Sequence, residues 1–89
     1  MNIEFTGPAI NADDGGVLFR ARVDGVWVRC HFTYEALQDI DPTDLQMNPM
    51  AQFERHRALL LSLAEDKILK GHLNNNLAVV YTGDINPIG

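Results

Sequence analysis

The chain has a single cysteine, Cys30, among its 89 residues. That excludes an internal disulfide and a cysteine-held zinc, and it makes a reducing cytoplasm the expected setting. Positive charge is scarce as well: seven Lys and Arg stand against twelve Asp and Glu, a formal net charge of -5. General affinity for polyanions is therefore not expected, because nonspecific nucleic-acid binding rests on neutralising phosphates, although a local basic patch escapes the argument. No apolar run reaches the roughly 18 residues of a transmembrane helix, and the opening stretch from Met1 to Gly7 lacks the basic and apolar regions of a signal peptide. No membrane association is expected. The serine nucleophile elbow, the Gly-rich phosphate loop and the dinucleotide-binding pattern are all missing. Asp13-Asp14-Gly15-Gly16 lacks the alternating acids and distal Glu of a calcium loop, and no Lys-Ser/Thr follows it, so it reads as a turn.

What is present is an ordinary globular composition. With 46% hydrophobic and 21% charged residues, the chain lies far from the composition of disordered segments. Its length fits one domain spanning residues 1–89. The strongest local pattern runs from Val17 to Phe32, two alternating runs meeting at Asp24-Gly25. Asp-Gly between period-2 runs predicts a two-residue type I′ hairpin, because both central residues need positive φ. That turn places Val23 opposite Val26 and sets every pair outward from it. One face carries Val17, Phe19, Ala21 and Val23 against Phe32, Cys30, Val28 and Val26. The other carries Leu18, Arg20 and Arg22 against His31, Arg29 and Trp27. A slip of one residue would drive the arginines into the core, so the register is well specified.

Before the hairpin, Asn2 to Thr6 alternates as a short strand that Gly7-Pro8 is expected to stop. After it, Thr33 is placed to cap a short helix, with Glu35 in the first turn and Leu37 facing inward, ending near Asp39 or Ile40. Asp41-Pro42 reads as a turn or one further helical turn. Asn48-Pro49 opens a long helix that nothing interrupts until Gly71, the expected C-terminal cap. Met50, Phe53, Leu60, Leu61, Ala64 and Ile68 form its apolar stripe, the natural cover for the hairpin's apolar face. Leu73 to Asn76 turns the chain, and Leu77 to Thr82 is apolar enough for a strand covered on both faces or placed inside the sheet, paired with the hairpin or the first strand. Residues 83–89 read as a flexible tail. The fold class is thus α+β: an antiparallel sheet in the order strand, β-hairpin, short helix, long helix, final strand, with the long helix packed on one face.

Chemistry-bearing residues are few. Cys30 and His31 resemble a nucleophile with its base, but neighbours in a strand point to opposite faces, which leaves Cys30 a buried structural thiol. His31, His56 and His72 fall in three elements without metal-ligand spacing, so no metal and no cofactor are expected. The basic hairpin face is sharper, because Arg20 and Arg29 oppose each other and like charges placed opposite are unfavourable. The favoured expectation is a solvated face whose arginines pair with the protein's own acids, with Arg22 over Trp27 as a cation-π pair. The alternative is an anion or nucleic-acid groove built from Arg20, Arg22, Trp27, Arg29 and His31. Arg57 falls inside the apolar stripe, where a buried ion pair with Glu35, Asp39 or Asp84 is expected to hold it. Leu59 and Leu63 lie across the helix from that stripe, among Gln52, Asp66 and Lys70, and mark a surface for self-association or an unknown protein partner.

Taken together, Ile3 and Phe5, Val17-x-Phe19-x-Ala21, Gly25, Cys30, Thr33-x-Glu35-x-Leu37, Phe53-x-x-x-Arg57 and Lys67-Ile68 resemble the small bacterial family called domain of unknown function 1488, DUF1488. The stretch Ala9 to Gly16 departs from that pattern. The resemblance implies a stand-alone bacterial α+β domain without assigned activity or catalytic residues. The functional expectation is a noncatalytic interaction or regulatory module, not an enzyme, forming a dimer if Leu59 and Leu63 pair. The alternative is binding of an anion or nucleic acid on the basic hairpin face.

Overall fold

A computed structural model describes residues 1–42 and 48–85. Strand β1 (Ile3–Asn11) is followed by β2 (Val17–Val23) and β3 (Val26–Phe32), then helices α1 (Tyr34–Ile40), α2 (Pro49–Arg55) and α3 (Arg57–Leu69), and strand β4 (Leu77–Val80). The four strands form one sheet in the order β1-β2-β3-β4. The first two pairings are antiparallel and β4 joins β3 in parallel. A parallel neighbour requires a long crossover, and the three helices supply it.

The hairpin forms in the expected register, from Val17 opposite Phe32 to Val23 opposite Val26. Asp24 and Gly25 both have positive φ, 49° and 84°, as a type I′ turn demands. The inner sheet face is buried from Val17 to Phe32, apart from Val26, which lies at the hairpin tip beyond the helices and is exposed. Phe53 of α2 sits at the centre of the core, its ring centroid 5.5 Å from Phe19 and 5.2 Å from Phe32. Leu37 and Ile40 of α1 and Leu60, Ala64 and Ile68 of α3 complete it.

Helix boundaries follow the capping residues. Thr33 Oγ1 accepts the Ala36 N–H at 3.1 Å, and Asn48 Oδ1 accepts the Ala51 N–H at 3.1 Å. Gly71, at φ 72°, closes α3 as its N–H donates to the Ile68 carbonyl. The further helical turn envisaged beyond Pro42 lies outside the described residues.

Four expectations are corrected. First, β1 does not stop at Gly7-Pro8. Between the pairs Thr6–Arg20 and Ile10–Leu18, β1 carries three residues where β2 carries one, so Gly7, Pro8 and Ala9 bulge and the strand resumes. β1 is a sheet edge, where a proline without an N–H costs no ladder hydrogen bond.

Second, the long helix is broken at His56, which has φ -112° and ψ 26°. A straight helix would carry Arg57 into the apolar stripe; the break turns it out to solvent, where it pairs with Glu54 at 3.4 Å and lies 4.8 Å from the Phe19 ring centroid. The expected buried ion pair of Arg57 is therefore absent: Asp84 pairs with Lys67 at 3.0 Å, and Asp39 accepts the Thr82 hydroxyl. The same change of phase buries Gln52, expected on the outer side.

Third, β4 is an edge strand. Ala78 and Val80 face the core, and Leu77 and Val79 are half-buried on the outer side. Fourth, the chain stays packed after β4: Thr82–Asp84 makes a 3-10 turn and Ile85 is buried. The remainder of the expected tail, 86–89, lies outside the described residues.

Candidate functional site

The described helices pack on one face of the sheet, and no described helix covers the other. Alternation fixes what it shows: Glu4, Thr6 and Ile10 from β1, Leu18, Arg20 and Arg22 from β2, Trp27, Arg29 and His31 from β3, and Leu77 and Val79 from β4. Three of the chain's seven basic side chains therefore share this face.

Their surroundings differ from the expected self-pairing. Among the described residues, no carboxylate comes within ion-pair distance, 4.0 Å, of Arg20, Arg22 or Arg29. Glu4 stands opposite Arg22 in register, yet its carboxylate accepts from Asn2 Nδ2 at 3.5 Å instead. Arg22 does lie over Trp27 as expected, 5.0 Å from the ring centroid, and Arg20 joins it at 5.1 Å. Arg20 Nη2 also donates to the Gly7 carbonyl at 3.3 Å, a group freed by the bulge. The Arg29 guanidinium has no hydrogen bond, ion pair or ring contact among the described residues.

His31 behaves differently from the arginines. Its Nε2 lies 2.9 Å from Asp14 Oδ1, which also accepts the Gly16 N–H at 2.8 Å, while Oδ2 accepts the Tyr34 N–H at 3.1 Å. Partial burial pushes the Asp14 carboxyl up, but these hydrogen bonds outweigh it and hold the group below the usual carboxylate range. Asp14 thus joins the β1–β2 turn, β3 and the start of α1, and it occupies His31. The sequence could not reveal this partner, because seventeen residues separate the two.

Beside the bulge lies a cleft of about 310 Å³, lined by Pro8, Ile10, Leu18, Phe19, Arg20 and Arg29. Pro8, Ile10 and Leu18 were not anticipated as site residues; the signal that finds them is the alternation resuming after Gly7-Pro8. A second cleft of about 240 Å³, beside Lys67, His72 and Tyr81, has its lysine already paired with Asp84.

The match to known proteins follows this framework. A family model described as "Protein of unknown function (DUF1488)" matches residues 3–80, from the first residue of β1 to the last of β4. The chain belongs to the DUF1488 family. Among the described residues, the matched region contains all four strands and helices α1 to α3 of this DUF1488 domain, together with the basic face. No curated protein and no solved structure matches the chain.

The remaining sequence-picked residues lie elsewhere. Cys30 is buried on the inner face, and burial pushes its thiol up to about 11, so almost no thiolate exists near neutrality. His31 lies in β3, His56 at the break between α2 and α3 and His72 after α3, and no group of three metal-ligating side chains occurs among the described residues. Leu59 is 43% exposed, whereas Leu63 packs partly against the core. No helix among the described residues is long and apolar enough to cross a membrane.

Proposed function

We propose that this DUF1488 domain is a noncatalytic binding module whose partner is anionic and docks on the open sheet face. The observation that carries this reading is the cluster of Arg20, Arg22 and Arg29, which no carboxylate among the described residues pairs with, in a chain of net charge -5. With twelve carboxylates available, internal neutralisation would have been easy to build, and an anion supplied from outside relieves the opposed pair Arg20–Arg29. A small anion fits better than nucleic acid. Two guanidiniums already engage the Trp27 ring, leaving less of it for a base to stack on, and the net charge repels a polyanion. A reducing compartment such as the bacterial cytoplasm suits the single thiol.

Titration with inorganic phosphate, followed through the arginine Nε and Trp27 indole NMR signals, tests the proposal. Shifts confined to Arg20, Arg22, Trp27 and Arg29, and weakened by added salt, are expected. Absence of any localised shift in low salt would refute it.

A further inference from the structure

We infer that the cleft beside the β1 bulge takes a small organic anion, with a carboxylate or phosphate head between Arg20 and Arg29 and an apolar body against Pro8, Ile10 and Leu18. The inference rests on the anion-binding reading and narrows its ligand.

Charge provides the first argument. Arg20 and Arg29 are direct cross-strand partners, so their side chains leave the sheet side by side, about 5 Å apart at Cβ. Both line the cleft. Arg20 is oriented in advance by the Gly7 carbonyl and the Trp27 ring, so little ordering remains to be done on binding. Arg29 brings donors that no described residue uses. One oxyanion with several oxygens can accept from both guanidiniums.

Shape and polarity provide the second. The opposite wall is apolar, and Ile10 is 54% exposed beside the cleft, as a side chain waiting for cover would be. A bare inorganic ion would leave this wall wet. The volume of about 310 Å³ sits at the small end of ligand clefts and equals on the order of ten water-sized groups, enough for one ring or a short chain. The lining contains no carboxylate, thiol or imidazole, so the site holds its ligand without a group to transform it.

The test compares phenyl phosphate with inorganic phosphate, and benzoate with acetate, by NMR titration of the full isotopically labelled chain. The aromatic anion of at least one pair should bind roughly tenfold more tightly than its small counterpart, a difference of about 1.4 kcal/mol, with shifts at Ile10, Leu18, Arg20 and Arg29. The pair showing the larger difference identifies the head group. Ile10→Asn should reduce that preference to about twofold without weakening inorganic phosphate, and Ile10→Ala serves if the first variant fails to fold. Arg29→Gln should weaken both members of a pair by about tenfold. Equal binding of aromatic and small anions at the arginines overturns the cleft assignment and leaves the anion-binding face standing. No binding by any of the four, with Arg29→Gln indistinguishable from the parent chain, overturns both. Far tighter binding of an eight-residue oligothymidylate, with shifts centred on Trp27, overturns the small-ligand assignment in favour of single-stranded nucleic acid.

Discussion

Replacing Gln52 with methionine should destabilise the protein although it preserves size and burial. Gln52 is fully buried, and its Nε2 donates to the Leu37 carbonyl at 3.1 Å. Leu37 lies in the last turn of α1, where carbonyls have no partner within the helix. Gln52 therefore completes α1 from α2 and locks the two helices together. Methionine fills the same space without a donor, which strands a buried carbonyl at a cost of about 1–3 kcal/mol. Alanine removes in addition the Cγ methylene, worth about 0.8 kcal/mol, and leaves a cavity, for a total of about 2–4 kcal/mol. Urea unfolding reads both. For a slope of about 1–2 kcal/mol per molar, Gln52→Met should lower the midpoint by about 1 M, and Gln52→Ala should lower it further at an unchanged slope. A midpoint for Gln52→Met equal to that of the parent would refute the reasoning, since the Leu37 carbonyl would then be satisfied by something else.

Cys30 should resist a disulfide reagent at pH 8 in the native state and react fully once the chain is unfolded, because burial holds its thiol near 11; rapid stoichiometric labelling of native protein would contradict this. Gly16→Ala should cost about 2 kcal/mol or more, since its new Cβ would stand 2.1 Å from the Phe32 carbonyl oxygen. Gly83→Ala, which meets nothing within 4 Å, should stay within about 0.5 kcal/mol in the same unfolding assay. Asp14 and Asp84 are both pushed up by partial burial and pulled further down by hydrogen bonds and nearby positive charge, to values below their ordinary 3.8. As pH falls, the unfolded chain therefore takes up these protons first; their contribution is complete above pH 3.8 and drains as pH drops through the lower folded values. Asp14→Asn should flatten that acid limb in a stability-against-pH profile, and an unchanged limb would count against the His31, Gly16 and Tyr34 contacts.

The sequence was most legible where one local signal determines many positions. Asp24-Gly25 set seven cross-strand pairs at once, and with them the inward Cys30 and the outward arginines. The same holds for the caps, because Thr33, Asn48 and Gly71 act on backbone within a few residues. What stayed hidden depends on neighbours distant along the chain. Gly7-Pro8 looks like a stop until β1 is known to be an edge, and the break at His56 has no glycine or proline to announce it. Arg57, a charge in the middle of the apolar stripe, was expected to hold a buried ion pair, and the structure removes the conflict by a change of helical phase instead. The basic face was legible as a set of residues, but the lack of ion pairs to its arginines among the described residues was not, since that depends on where the acids come to rest.

The bulge in β1 has a further consequence. A nine-residue strand at the rim of a sheet is a template on which another chain's strand could extend the ladder, the usual first step toward aggregation. Here Gly7, Pro8 and Ala9 interrupt that rim near its middle, and Pro8 has no N–H to offer. An incoming strand meets two short lengths out of step with each other, never one continuous edge. The kink that walls the cleft thus also breaks up the β1 edge along which a second copy could extend the sheet.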